Sequence, residues 1–115
     1  MTDAAWPVEW QRGLLATAIL GAVGGAEPVY GYAISQRLEQ LGWGSVTGGA
    51  LYPALRALEA AGLVTSRWDP QASGPARRYY DLTPEGRDAI RRHQDSWPRF
   101  SGAMTALLHG EEGPR

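Results

Sequence analysis

Apolar residues recur with a helical period early in the chain: Leu14, Leu15, Ala18, Ile19 and Ala22 share one face. Trp6-Pro7 marks the lead-in, since proline suits the first helical position, and Gly24-Gly25 closes the run. The first nine residues are expected to be loose. A second helix is expected from Gly31 to Leu41, with Ile34, Leu38 and Leu41 on its inner face and Gly42-Trp43-Gly44 as its break. The third starts around Gly48 or Gly49. Its Leu51, Leu55 and Leu58, at i, i+4 and i+7, face the core, which leaves Tyr52, Pro53, Arg56 and Ala60 on other faces. Pro53 lacks an N–H and so belongs near a helix start. Gly62 suits the position just past the helix end.

From Leu63 the period changes to two. Val64, Ser66 and Trp68 fall on one side of a strand, Thr65 and Arg67 on the other. Pro70 to Ala76 forms a turn and Arg77 to Leu82 the returning strand. So short a hairpin cannot stand alone and must lean on the helices, with its arginines at the tip or on the outer face. Thr83-Pro84-Glu85 then supplies an N-cap hydroxyl, proline at the first helical position and an acid in the first turn. Along the helix that follows, Ile90, His93, Trp97, Phe100, Met104 and Leu107 are spaced 3, 4, 3, 4, 3, an a/d stripe over more than two heptads. Run to about His109, that helix is ~39 Å long at 1.5 Å per residue. A three-helix core cannot cover such a seam, whereas a second copy can; the alternative is packing on the chain's own first helix. Trp6 and Trp10 on the first helix could cover part of it. Pro98 interrupts the hydrogen-bond ladder at Gln94, so a kink beside Trp97 or a break into two helices is expected.

Composition narrows the function classes. The 115 residues suffice for one core, and there is no cysteine, hence no disulfide or thiol chemistry. His93 and His109 lack nearby ligand partners, no phosphate-binding glycine loop is present, and no carboxylate pair has a site around it. An enzyme is therefore disfavoured, with no catalytic residue, cofactor or metal expected. Leu14 to Val23 is too short to cross a bilayer and lacks the basic flank of a signal peptide, so the cytoplasm is the expected location. Formal charge is −1, yet residues 30 to 80 carry five Arg against three acids. All basic residues are arginine, and both lysine and asparagine are missing, a bias that carries no functional meaning.

A short helix feeding a hairpin with arginine at its ends is how a winged helix holds DNA. Tyr52 and Arg56 can reach base edges and phosphates, and Arg67, Arg77 and Arg78 are candidate phosphate contacts. The plainer alternative is a solvated face and a solubilising hairpin, which is preferred for Arg67. An acidic overall balance keeps open a second class, a winged-helix protein-interaction module without specific DNA binding.

Four blocks in order resemble the PadR-like transcriptional regulators, specifically short members with one C-terminal helix. They are Tyr30-Gly31-Tyr32, Gly49 to Leu55, Leu58 to Val64, and Arg77 to Gly86, and the likeness covers roughly Leu14 to Leu108. The resemblance implies a mainly α fold with a small β-hairpin: a winged helix-turn-helix plus a long C-terminal helix, dimeric through its first and last helices. Residues 1–82 would form the DNA-binding part and 83–115 the dimerisation helix and tail. It further implies a repressor on an inverted-repeat operator in double-stranded DNA. Thr47, Gly49, Tyr52 and Arg56 would be groove or phosphate contacts, Tyr32 a phosphate contact, and Arg77 and Arg78 the wing contact. Trp10, Ile90, His93, Trp97, Phe100, Met104 and Leu107 would form the dimer seam. Some short members bind flat aromatic or cationic drugs between tryptophans of the last helices, which would make Trp97, with Phe100, an inducer site, the alternative being plain dimer packing. Two positions depart from the pattern: Tyr30 stands where histidine is common, and Ala50 where threonine is common.

Overall fold

The computed structural model describes residues 6–25, 27–69 and 77–111; the expected turn at 70–76 lies outside them. Helix α1 spans Val8–Val23, with Pro7 as its N-cap rather than its first residue. Strand β1, Val29–Tyr30, runs directly into α2, Gly31–Gln40. Helix α3 is Gly48–Ala60, followed by β2, Val64–Trp68, and β3, Arg78–Leu82. Helix α4, Pro84–Leu108, completes the regular structure among the described residues.

Side chains from three helices and one sheet face meet in a single core. Ile19, Leu20 and Val23 of α1, Ile34 of α2, Leu51 and Leu55 of α3, and Val64 of β2 are almost wholly buried. Tyr80, Leu82 and Ala89 close it from the sheet and from the start of α4. Leu41 departs from the inner face expected for it: it caps α2 at its C-terminus and is 75% exposed. The α2 face stops at Leu38, because Gly42, at φ +90°, turns the chain away, with Trp43 N–H donating back to the Leu38 carbonyl at 2.9 Å. Gly62, at φ +79°, ends α3 in the same way, as its sequence position foretold.

The expected two-stranded hairpin is a three-stranded sheet of order β1-β3-β2, antiparallel throughout. Val29 pairs with Tyr80 and Tyr30 with Tyr79, so the returning strand is central, not an edge. Ser66 lies opposite Tyr80, and Trp68 opposite Arg78. Alternation therefore puts Ser66, Trp68, Arg78 and Tyr80 on the face toward the helices, and Arg67, Tyr79 and Tyr30 on the outer face. Of the two places expected for the hairpin arginines, tip or outer face, Arg78 takes the tip end of the hairpin, with its side chain on the face toward the helices.

Helix α4 is held at its start by local chemistry. Thr83 Oγ1 accepts from the Gly86 N–H at 3.0 Å and donates to the Gly62 carbonyl at 2.6 Å, while the Thr83 N–H donates to the Leu63 carbonyl at 3.1 Å. Beyond Ile90 the helix leaves the core, and residues 91–100 are all exposed. It is continuous across Pro98 rather than broken in two. Exposure explains the tolerance: the carbonyl that loses its partner can bond water instead. Ion pairs Arg91–Asp88 and Arg99–Asp95, one turn apart, run along this exposed stretch.

Candidate nucleic-acid interface

Five of the seven expected DNA contacts line one cleft. Tyr32, Tyr52, Arg56, Arg77 and Arg78 surround a volume of about 920 Å³ between α2, α3 and the sheet. Each owes its place to a local rule. Tyr32 is in the first turn of α2, and its side chain is 73% exposed. Tyr52 and Arg56 stand on the α3 face left free when Leu51, Leu55 and Leu58 turn inward.

Tyr52 is seated on glycine. A Cβ at Gly31 would meet the Tyr52 hydroxyl at 2.6 Å and its ring at 3.0 Å, and one at Gly48 would lie 3.6 Å from the ring. Bare backbone in α2 therefore lets the α3 tyrosine lie flat against it. Gly31→Ala should push Tyr52 aside, because the side chain yields more easily than the backbone. We expect several-fold weaker DNA binding with a melting temperature within a few degrees of the parent, checked by binding titration and thermal denaturation. Unchanged affinity would show that Tyr52 does not need this seat.

Thr47 and Gly49 lie outside the cleft, at the α3 N-terminus. Thr47 is the N-cap residue, but no side chain caps the helix, and both residues are exposed. The first-turn N–H groups of Gly48 and Gly49 thus suit a phosphate oxygen, with no Cβ to obstruct it.

The outer face carries a stacked ladder. The rings of Tyr30 and Tyr79 stack with centroids 4.2 Å apart; Arg77 lies over Tyr30 at 5.0 Å and Arg67 over Tyr79 at 5.4 Å. The Tyr30 hydroxyl donates to Asp69 Oδ2 at 2.8 Å and shares a 2.5 Å hydrogen bond with the Tyr79 hydroxyl. Those bonds, the Tyr79 one foremost, push the Tyr30 phenol up to about 12. Burial likewise raises the Tyr80 phenol. The tyrosine that departs from the usual histidine therefore ties β1 to the wing. Arg67, read as a solubilising residue, also has a packing role here.

Arg77 and Arg78 differ sharply. Arg77 is exposed. Arg78 is half-buried, lies 4.5 Å from the Trp68 ring, and donates from Nη1 to Ser66 Oγ at 2.9 Å. The Ser66 hydroxyl in turn donates to Glu59 Oε2 at 2.8 Å. Glu59, Ser66 and Trp68 were not among the expected site residues, although Ser66 and Trp68 were placed on one face of their strand. A signal existed for Glu59, which follows Tyr52 and Arg56 at spacings of four and three and so continues their stripe along α3.

A second, larger cleft of about 1020 Å³ shares no residue with the first. Leu14 of α1 and Ile90, His93, Trp97, Pro98 and Phe100 of α4 line it. Ile90 is half-buried, with its Cδ1 3.1 Å from where a Gly24 Cβ would lie. His93, Trp97, Phe100 and Leu107 are exposed, Met104 is half-buried, and Trp10 of α1 is 51% exposed. Trp97 and Phe100 meet at 5.8 Å in a tilted pair. Among the described residues no cluster of His, Asp or Glu could hold a metal ion, and no helix is long and apolar enough to cross a membrane.

Comparison with known proteins gives this arrangement a family. The profile of the transcriptional regulator PadR-like family matches residues 19–92, from the core end of α1 to the first turns of α4. Transcriptional regulator Rv3488 of Mycobacterium tuberculosis is 40% identical over 82 residues, 71% of this chain and 74% of that protein. An uncharacterized 37.1 kDa protein in transposon TN4556 of Streptomyces fradiae is 39% identical over 77 residues, 67% of this chain. The match spans only 21% of that relative's length. The crystal structure of a PadR family transcriptional regulator from Eggerthella lenta superposes with a TM-score of 0.75 at 34% identity, covering 88% of this chain and 87% of that one. The profile takes in both helices of the first cleft and the whole sheet, and fold and sequence agree: the chain belongs to the PadR-like family of transcriptional regulators, transcription factors rather than enzymes.

Proposed function

We propose that this protein is a sequence-specific repressor that binds an inverted-repeat operator as a homodimer. In this reading residues 1–82 form the DNA-binding part and residues 83–115 the dimerisation helix and tail. Helix α3 enters the major groove, Tyr52 and Arg56 read or flank base edges, and Thr47, Gly49, Tyr32 and Arg77 hold phosphates. The observation that carries it is the convergence of Tyr32, Tyr52, Arg56, Arg77 and Arg78 on one cleft. Homodimerisation is supported by the α4 stripe. Trp97, Phe100 and Leu107 are 48%, 55% and 71% exposed in the single chain, a seam costly to leave in water. Two such helices brought together would face their Trp97 rings across a shared opening. There a planar aromatic or cationic inducer fits by stacking, with Phe100 alongside.

Two observations favour a second reading, a winged-helix module that binds protein instead. The formal charge is −1, and a carboxylate, Glu59, lines the expected DNA cleft. Fluorescence anisotropy with labelled DNA from upstream of the protein's own gene, at two salt concentrations and with unrelated competitor, separates the two. The repressor reading expects tight, competitor-resistant binding that falls steeply with salt. It also expects release by a planar aromatic cation that depends on Trp97. Weak binding erased by competitor would favour the interaction module, and release that persists in Trp97→Ala would remove the inducer site.

A further inference from the structure

The first cleft contains a carboxylate, and that is unfavourable beside a polyanion. Glu59 sits in the last turn of α3, on the same stripe as Tyr52 and Arg56. Electrostatics alone would exclude an acid there. Its hydrogen bonds show what offsets the repulsion. Ser66 has one hydroxyl hydrogen, and it goes to Glu59 Oε2 at 2.8 Å. Its lone pairs are left to accept from Arg78 Nη1 at 2.9 Å. The order is therefore fixed as guanidinium to hydroxyl to carboxylate, with an ionised group at each end of the relay. Arg78 is clamped from the other side by the Trp68 ring, 4.5 Å away and directly across the ladder.

Building on the DNA-binding reading, we infer that Glu59 and Ser66 are positioning residues: through Arg78 they fix the angle of the wing to the recognition helix. One end of the relay belongs to α3 and the other to β3, with β2 between. These elements otherwise join through the tight turn at Gly62 and the buried ends of the strands. Beyond the buried Tyr80, toward the tip where Trp68 is 57% exposed, no described core residue holds the strands against α3. The polar relay supplies that hold. It also divides labour between the adjacent arginines. Arg78 spends its charge inside the protein, whereas exposed Arg77 remains for phosphate.

The experiment is a salt-dependent binding titration of the full-length protein on the labelled upstream duplex, with hydrogen exchange on the DNA-free protein beside it. Ser66→Ala should bind about tenfold more weakly, with the slope of log K against log salt unchanged, since no phosphate contact is lost. Arg77→Ala should flatten that slope by about 0.9, the value for one phosphate on duplex DNA. Ser66→Thr, which keeps the hydroxyl, should recover most of the affinity. Glu59→Ala gives the sharpest sign: loss of a negative charge alone predicts tighter binding, whereas loss of the relay predicts weaker binding. Amides of β2 and β3 should exchange faster in Ser66→Ala, with α4 unaffected. Ser66→Ala binding like the parent, Glu59→Ala binding more tightly, or a flattened slope in Ser66→Ala would each overturn the inference. A parent protein that binds no DNA would instead overturn the repressor reading. The exchange data would then decide the relay, and unchanged rates in β2 and β3 would end it.

Discussion

Gly86→Ala is expected to lower the melting temperature by about 10 °C, the largest stability effect we foresee for a single methyl group. A Cβ at Gly86 would lie 2.0 Å from the Leu63 carbonyl oxygen and 3.0 Å from its carbon, with Leu82 Cδ2 at 3.3 Å. The oxygen and carbon belong to backbone that cannot swing aside. The same carbonyl accepts from the Thr83 N–H, and the neighbouring Gly62 carbonyl accepts from the Thr83 hydroxyl. Making room means lifting α4 off the turn between α3 and β2, which breaks those bonds as well. Overpacking costs about 1–3 kcal/mol and loss of the cap about 1 more. Alanine's better helix propensity returns at most about 1 kcal/mol, so the clash wins. Far-UV circular dichroism melts at matched concentration check this, since a dimer's melting point depends on concentration. A variant melting at or above the parent would mean that the turn yields without cost.

Arg56→Ala is expected to cost about 10- to 100-fold in operator affinity, the range of about 1–3 kcal/mol for a side chain that reads a base. Arg56 is exposed on α3, one turn beyond Tyr52, and lines the cleft. It makes no hydrogen bond or ion pair to the described residues that would tie it to the fold, unlike Arg78. Alanine is also the better helix former, so the melting temperature should not fall. Competition with unrelated DNA separates base reading from charge. Loss on operator exceeding loss on competitor marks a base contact, whereas equal loss on both marks a phosphate contact. An Arg56→Ala protein that kept the parent's operator affinity would show that α3 is not the reading helix.

The helices were legible because their signals are local. Leu51, Leu55 and Leu58 repeat within two turns, Gly62 ends α3 with its own backbone, and Thr83-Pro84 caps α4 from adjacent positions. The exposed stripe of Tyr52 and Arg56 followed from the same arithmetic. Strand β1 was missed because two residues show no alternation, and its partners Tyr79 and Tyr80 lie some fifty positions on. Leu41 was misjudged because the wheel assigns a face but not the point where the core ends. A kink or a break at Pro98 was expected from the lost hydrogen bond; the helix is not broken, and the exposure that makes the loss tolerable depends on where α4 leaves the domain.

By itself, then, the sequence determined which residues form helices and, Leu41 apart, which faces turn inward, since periodicity and caps act within a few residues, and its four ordered motifs carried the resemblance to the family. Only the tertiary structure decided that Tyr52 lies on Gly31, that Tyr30 joins the wing, and that Arg78 faces Glu59 through Ser66. Those contacts join positions far apart in the chain. Whether two such side chains meet is set by how the packed helices close on the sheet, a geometry no short window of residues contains.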